Sequence, residues 1–113
     1  MIQIYHNNRC RKSREGLAYL EKIGLEFEII EYLKYPLTED ALKQILKKLN
    51  IKPINLIRTQ EAIWKSDYKG KILNDEQIIK AMVKHPKLIE RPIIVNNQKA
   101  VVARPLESVA KIL

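Results

Sequence analysis

One cysteine stands in the whole chain, and its neighbours are cations. Cys10 lies within His6-Asn7-Asn8-Arg9-Cys10-Arg11-Lys12-Ser13-Arg14, where four of the six residues from Arg9 to Arg14 are positive. Nearby positive charge and a helix N-terminus both favour thiolate over thiol. A thiolate ringed by arginines is a nucleophile prepared for an anionic partner. The competing reading is a small buried hydrophobe beneath a solvated charged face, yet core residues rarely sit among four charges. His6 could stabilise the thiolate as an imidazolium or by donating a hydrogen bond, or it could be an exposed histidine at a strand end. Ser13, one helical turn after Cys10, could donate to the sulfur or simply start a helix. It stands where a second cysteine often stands, so the chain has no resolving thiol. An adducted or oxidised sulfur must be released by an outside thiol, which implies glutathione or a small redox protein if this is a redox enzyme.

The elements that must hold this loop can be read from apolar spacing. Ile2 and Ile4 alternate with Gln3 as a short strand, and residues 11 to 23 read as a helix with Leu17, Leu20 and Ile23 inward and Gly24 just beyond its end. Phe27, Ile29 and Ile30 make a second strand, completing a right-handed βαβ unit. Thr38 is an N-cap for a helix whose apolar face is Leu42, Ile45, Leu46 and Leu49. Pro53 opens a short irregular helical stretch running through Ile57 toward Trp64. Asn74 and Gln77 resemble a capping box for a helix ending at His85-Pro86. Ile93-Ile94-Val95 and Ala100-Val101-Val102 flank Asn96-Asn97-Gln98-Lys99 as a hairpin, and Pro105 suits the first turn of a last helix carrying Val109 and Ile112. The expected class is α/β: a thioredoxin-like plan with a four-stranded mixed sheet and a helical insertion, about residues 37–88, between the second and third strands of a single 1–113 domain.

Cations in the first turn of a helix oppose its dipole by about 0.3–1 kcal/mol each, so Arg11, Lys12 and Arg14 are not there for stability. A bound anion or the thiolate itself reverses that sign, and the backbone N–H groups of the turn point at it. Two further arginines bracket the hairpin, in Arg91-Pro92 and Arg104-Pro105. In a thioredoxin-like plan the residues before the third strand lie beside the thiol. Arg91 is then expected to face Cys10, with Arg104 leaving the neighbouring strand at the same end. Guanidinium groups stay charged and grip tetrahedral oxyanions with a planar fork. Taken singly, each reads more readily as a surface charge; two Arg-Pro steps flanking one hairpin bring the two readings level.

The bulk numbers exclude several classes. At 113 residues, 46% hydrophobic and 30% charged, the chain can bury a core and is not disordered. No apolar run approaches the roughly 20 residues of a membrane span, and Met1-Ile2-Gln3-Ile4-Tyr5 reads as a strand rather than a leader. A lone cysteine gives no disulfide framework, and a reducing cytoplasm is the expected location. The net charge of +8 attracts anions, but the cations are spread out and aromatics are only 6%, which argues against nucleic acid as partner.

Taken together, these residues resemble the glutaredoxin-coupled arsenate reductases of the ArsC-like family, in their short form. The likeness runs nearly end to end. A His-x3-Cys-x3-Arg signature stands as His6, Cys10 and Arg14, a second as His85-Pro86-Lys87-Leu88-Ile89-Glu90-Arg91-Pro92-Ile93-Ile94-Val95, and a third as Ala103-Arg104-Pro105-Leu106-Glu107. The resemblance implies that Cys10 attacks arsenate and that Arg91 and Arg104 hold the oxyanion and its cysteine adduct. Arg58 falls at the family's remaining anion-binding position, and the Arg91-Pro92 peptide is expected to be cis. It also implies glutathione as co-substrate and glutaredoxin as partner, with no metal or bound cofactor. Asn8 departs from the family, which usually has proline there. Spx-type transcription regulators, which bind RNA polymerase, share the fold and the His-Pro to Arg-Pro segment. They typically carry a Cys-x-x-Cys switch and lack the second Arg-Pro step. Ser13 and Arg104 therefore favour the enzyme, either on arsenate or as a glutathione-linked thiol oxidoreductase with another substrate.

Overall fold

Four short apolar segments build one sheet in the computed structural model, which describes residues 1–113. The strands are β1 (Ile2–Tyr5), β2 (Phe27–Ile30), β3 (Ile93–Asn96) and β4 (Lys99–Val102), in the order β2-β1-β3-β4. β1 and β2 run parallel, with Ile4 opposite Ile29. β1 with β3 and β3 with β4 are antiparallel. This is the expected mixed sheet, with helices between β2 and β3.

The chain forms two compact units, Met1–Tyr35 with Arg91–Leu113, and Pro36–Glu90. In the sheet unit, Ile2, Ile4, Leu20, Ile94, Ala103, Val109 and Ile112 form the core. Leu20 comes from α1 (Arg11–Ile23), which ends on Gly24 in the left-handed conformation at φ 76. Ile23 does not join that core and is 37% exposed. It lies in the last turn, about 60° around the helix from Leu20, and turns to solvent. The final segment also differs from expectation. Leu106–Ile112 is a 3-10 helix, and Pro105 precedes it in extended backbone instead of occupying its first turn. Leu106, Val109 and Ile112 recur every third residue, which is the period of a 3-10 helix and places all three on one side. In the hairpin turn, Asn97 takes φ 57, as a turn asparagine can.

The other unit is helical. α2 (Glu39–Leu49) is capped by Thr38, whose hydroxyl accepts from the Ala41 N–H at 3.1 Å. α4 (Asp75–Lys84) opens with the full Asn74–Gln77 capping box. Between them, the single irregular stretch read from the sequence is two pieces: a 3-10 turn Pro53–Leu56 and α3 (Ala62–Asp67). They separate because Ile57 is extended and forms an antiparallel bridge with Ile89. Trp64 stacks on Tyr68 at 5.5 Å between ring centroids. No helix is long and apolar enough to cross a membrane.

Candidate active site

Cys10 is the N-cap of α1 and is half-buried. The first turn that follows contains no acidic residue. The sulfur makes no strict capping hydrogen bond, but the N–H groups of Ser13 and Lys12 still act on it. Burial pushes the Cys10 thiol up. A hydrogen bond from the Arg91 side chain, the Ser13 N–H, the Arg91 charge and the Lys12 N–H outweigh burial, and the thiol titrates below its ordinary value. Arg104 approaches from another segment, its Nη2 donating to Cys10 Sγ at 3.5 Å. Its Nε donates to the Arg91 carbonyl at 2.7 Å, which fixes one guanidinium against the backbone of the other arginine.

Strand register explains why these two arginines meet. In the β3–β4 ladder Ile93 faces Val102 and Ile94 faces Val101. The pairing continues outward, with the Ala103 N–H donating to the Pro92 carbonyl at 3.0 Å. The next rung would place Arg91 opposite Arg104. Both arginines therefore leave the same end of the sheet, as the two Arg-Pro steps suggest, and both of those peptides are cis.

Gly16 was not singled out by sequence reasoning, although it belongs to the same construction. A Cβ at this buried helical position would lie 2.7 Å from Pro92 Cγ. Only a glycine lets α1 lie this close to the residue after Arg91. A glycine inside a helix is about 1 kcal/mol worse than alanine, and that local cost is the signal that could have found it.

His6 and Ser13 are the buried polar residues of the chain, at 5% and 0% exposure. His6 Nδ1 lies 2.7 Å from Ser13 Oγ, which also accepts the Asn7 N–H at 2.9 Å. Burial pushes the imidazole below its ordinary value; the Glu31 charge and the Ser13 hydrogen bond oppose this, and Arg14 adds to it. His6 is buried, which sets aside the exposed strand-end reading, and its lowered pKa works against the imidazolium. The Ser13 hydroxyl lies against His6, and Ser13 acts on the sulfur through its backbone N–H. Arg14 is exposed, and its Nη1 donates to the Asn8 carbonyl at 3.1 Å, clipping the loop to the helix. Arg58 belongs to the helical unit, where its Nε lies 3.5 Å from Glu61 Oε1 and its N–H donates to the Leu88 carbonyl at 2.7 Å.

The fold and site define a thioredoxin-like protein whose one thiol, held below its ordinary value, lies among guanidinium and backbone N–H groups. Comparison with known proteins narrows this. Residues 5–112 match the ArsC family. The chain is 42% identical to the uncharacterized protein YfgD of Escherichia coli, covering 99% of this chain and 96% of that one. It is 41% identical to an arsenate reductase of Haemophilus influenzae, covering 99% and 98%. The solved structure of an arsenate reductase from Vibrio cholerae superposes with a TM-score of 0.94 at 40% identity, covering 99% of this chain and 97% of that one. The chain belongs to the ArsC family.

Proposed function

We propose that this protein reduces arsenate to arsenite, with Cys10 as nucleophile and with glutathione and glutaredoxin as reductants in a reducing cytoplasm. One observation carries the reading: a thiol held below its ordinary pKa with Arg91 and Arg104 both on its sulfur. Those charges favour the thiolate before substrate arrives and offset arsenate's negative charge when it does. The Cys10 thiolate bonds to As(V) as one oxygen leaves as water. A glutathione sulfur then replaces a second oxygen, also lost as water. A glutaredoxin thiolate takes that glutathione sulfur as a disulfide and leaves the electron pair on arsenic, now As(III) on Cys10. Water releases arsenite and returns the thiol. The lone cysteine supports the use of outside thiols for the last electrons. Arg104 at the sulfur supports an oxyanion enzyme over an RNA polymerase-binding regulator.

Arsenate reduction with glutathione and glutaredoxin, compared between the parent and Cys10→Ser, tests the reading. The expected loss is on the order of a thousandfold or more. Equal turnover in both would place the chemistry elsewhere.

A further inference from the structure

A cavity of about 530 Å³ opens between the first turns of α1 and the chain leaving β4, lined by Lys12, Glu15, Arg104, Pro105, Leu106 and Glu107. We propose that it receives the amino-acid end of a γ-glutamyl peptide thiol, with the α-ammonium against Glu107 and the α-carboxylate against Lys12. This assignment rests on the reductase reading and says where the thiol co-substrate docks.

Three observations point to such an occupant. The cavity shares Arg104 with the sulfur, and the N–H of Lys12, also in its wall, acts on that sulfur, so a molecule held there has two neighbours in common with Cys10. Its walls carry both signs of charge. A bare oxyanion would meet the carboxylates of Glu15 and Glu107, whereas a zwitterion satisfies both signs at once. Glu107 makes no ion pair within a chain of 21 lysines and arginines, while Lys12 has only a 3.9 Å contact to Glu15. Half-buried Leu106 offers an apolar edge for the methylenes of the ligand, and several hundred Å³ suits a small organic molecule.

The charge pattern also selects among thiols. A γ-linkage leaves α-ammonium and α-carboxylate together at one end, several atoms from the thiol. An ordinary peptide N-terminus offers only the ammonium, and cysteinylglycine carries its ammonium beside the sulfur.

Calorimetric titration of the full chain with S-methylglutathione, which cannot react, tests the site. Saturable binding is expected, weakened about fivefold by Glu107→Gln and similarly by Lys12→Ala, as for one solvent-accessible charge pair lost. Glu107→Asp, which keeps the charge, should recover part of the loss. S-methylcysteinylglycine should bind no better to the parent than S-methylglutathione does to Glu107→Gln. Absent binding to the parent, affinity indifferent to Glu107→Gln, or equal binding of the two ligands overturns the proposal. The arsenate assay on Cys10→Ser is independent of this titration. Glu107-dependent binding without arsenate turnover would keep the site and remove the substrate.

Discussion

The start of α1 and the starts of α2 and α4 follow opposite rules. α2 and α4 begin with a side chain accepting a backbone N–H, at Thr38 and Asn74, and carry Glu39 and Asp40 or Asp75 and Glu76 in the first turn. Those acids complement the helix dipole. α1 begins with Cys10, has no strict cap and no acid in its first turn, and places Arg11 and Lys12 there. Exposed pairs from Arg11 and Lys12 to Glu15, at 3.2 and 3.9 Å, repair little of this. The difference separates two helix starts that satisfy the dipole locally from one that leaves positive charge beside a thiol. That rule of local stability is followed by α2 and α4 and broken at Cys10.

That contrast can be broken or sharpened by substitution. The largest effect is expected at the sulfur's own arginines. Arg91→Ala and Arg104→Ala should each weaken arsenate binding about 10- to 100-fold, the worth of a charged hydrogen bond, with the fold retained by circular dichroism. Unchanged affinity in both would remove them from the site. Gly16→Ala comes next. The helix gains propensity, but the new methyl meets Pro92, and overpacking should win by about 1–2 kcal/mol in denaturant unfolding. A stabilised variant would show that Pro92 yields. Asn74→Ala is smaller, about 1 kcal/mol of stability with the alkylation rate of Cys10 untouched. A changed rate there would blur the division between the two kinds of helix start.

Titration sharpens the comparison from the other side. Alkylation of Cys10 should rise with pH and level off below the range of free cysteine, with the inflection moving up in Arg91→Ala. The sign for stability follows from the lowered thiol pKa. Below the folded value both states hold the thiol and nothing is gained. Between the folded and unfolded values only the native state holds the thiolate. Above the unfolded value the contribution is complete. The Tm difference between the parent and Cys10→Ser should therefore grow as pH rises through that window, and a flat difference would contradict an anion stabilised by folding.

Much of this was legible because it is local. The α1 boundaries, the Thr38 cap, the Asn74–Gln77 box and the hairpin each announce themselves through residues within a few positions of one another. The two Arg-Pro steps were legible through their symmetry about the hairpin. What escaped depends on contacts between distant segments. Tyr32 follows a strand with no apolar pattern to mark it, yet it is 1% exposed. The spacing of Ser13 permits a bond to the sulfur, but burial delivers its hydroxyl to His6. Gly16 reads as a flaw in a helix until Pro92 is placed against it. Helical periodicity counts Ile23 as inward, although its distance from the sheet's centre is a tertiary matter.

The rung that sets Arg91 across from Arg104 gives the far tip of the hairpin authority over the chemistry. A one-residue slip in the β3–β4 pairing would take Arg104 off the rung beside Arg91 and turn it to the opposite side of the sheet. The pairing register of the hairpin is thereby tied to the geometry at the sulfur several residues away.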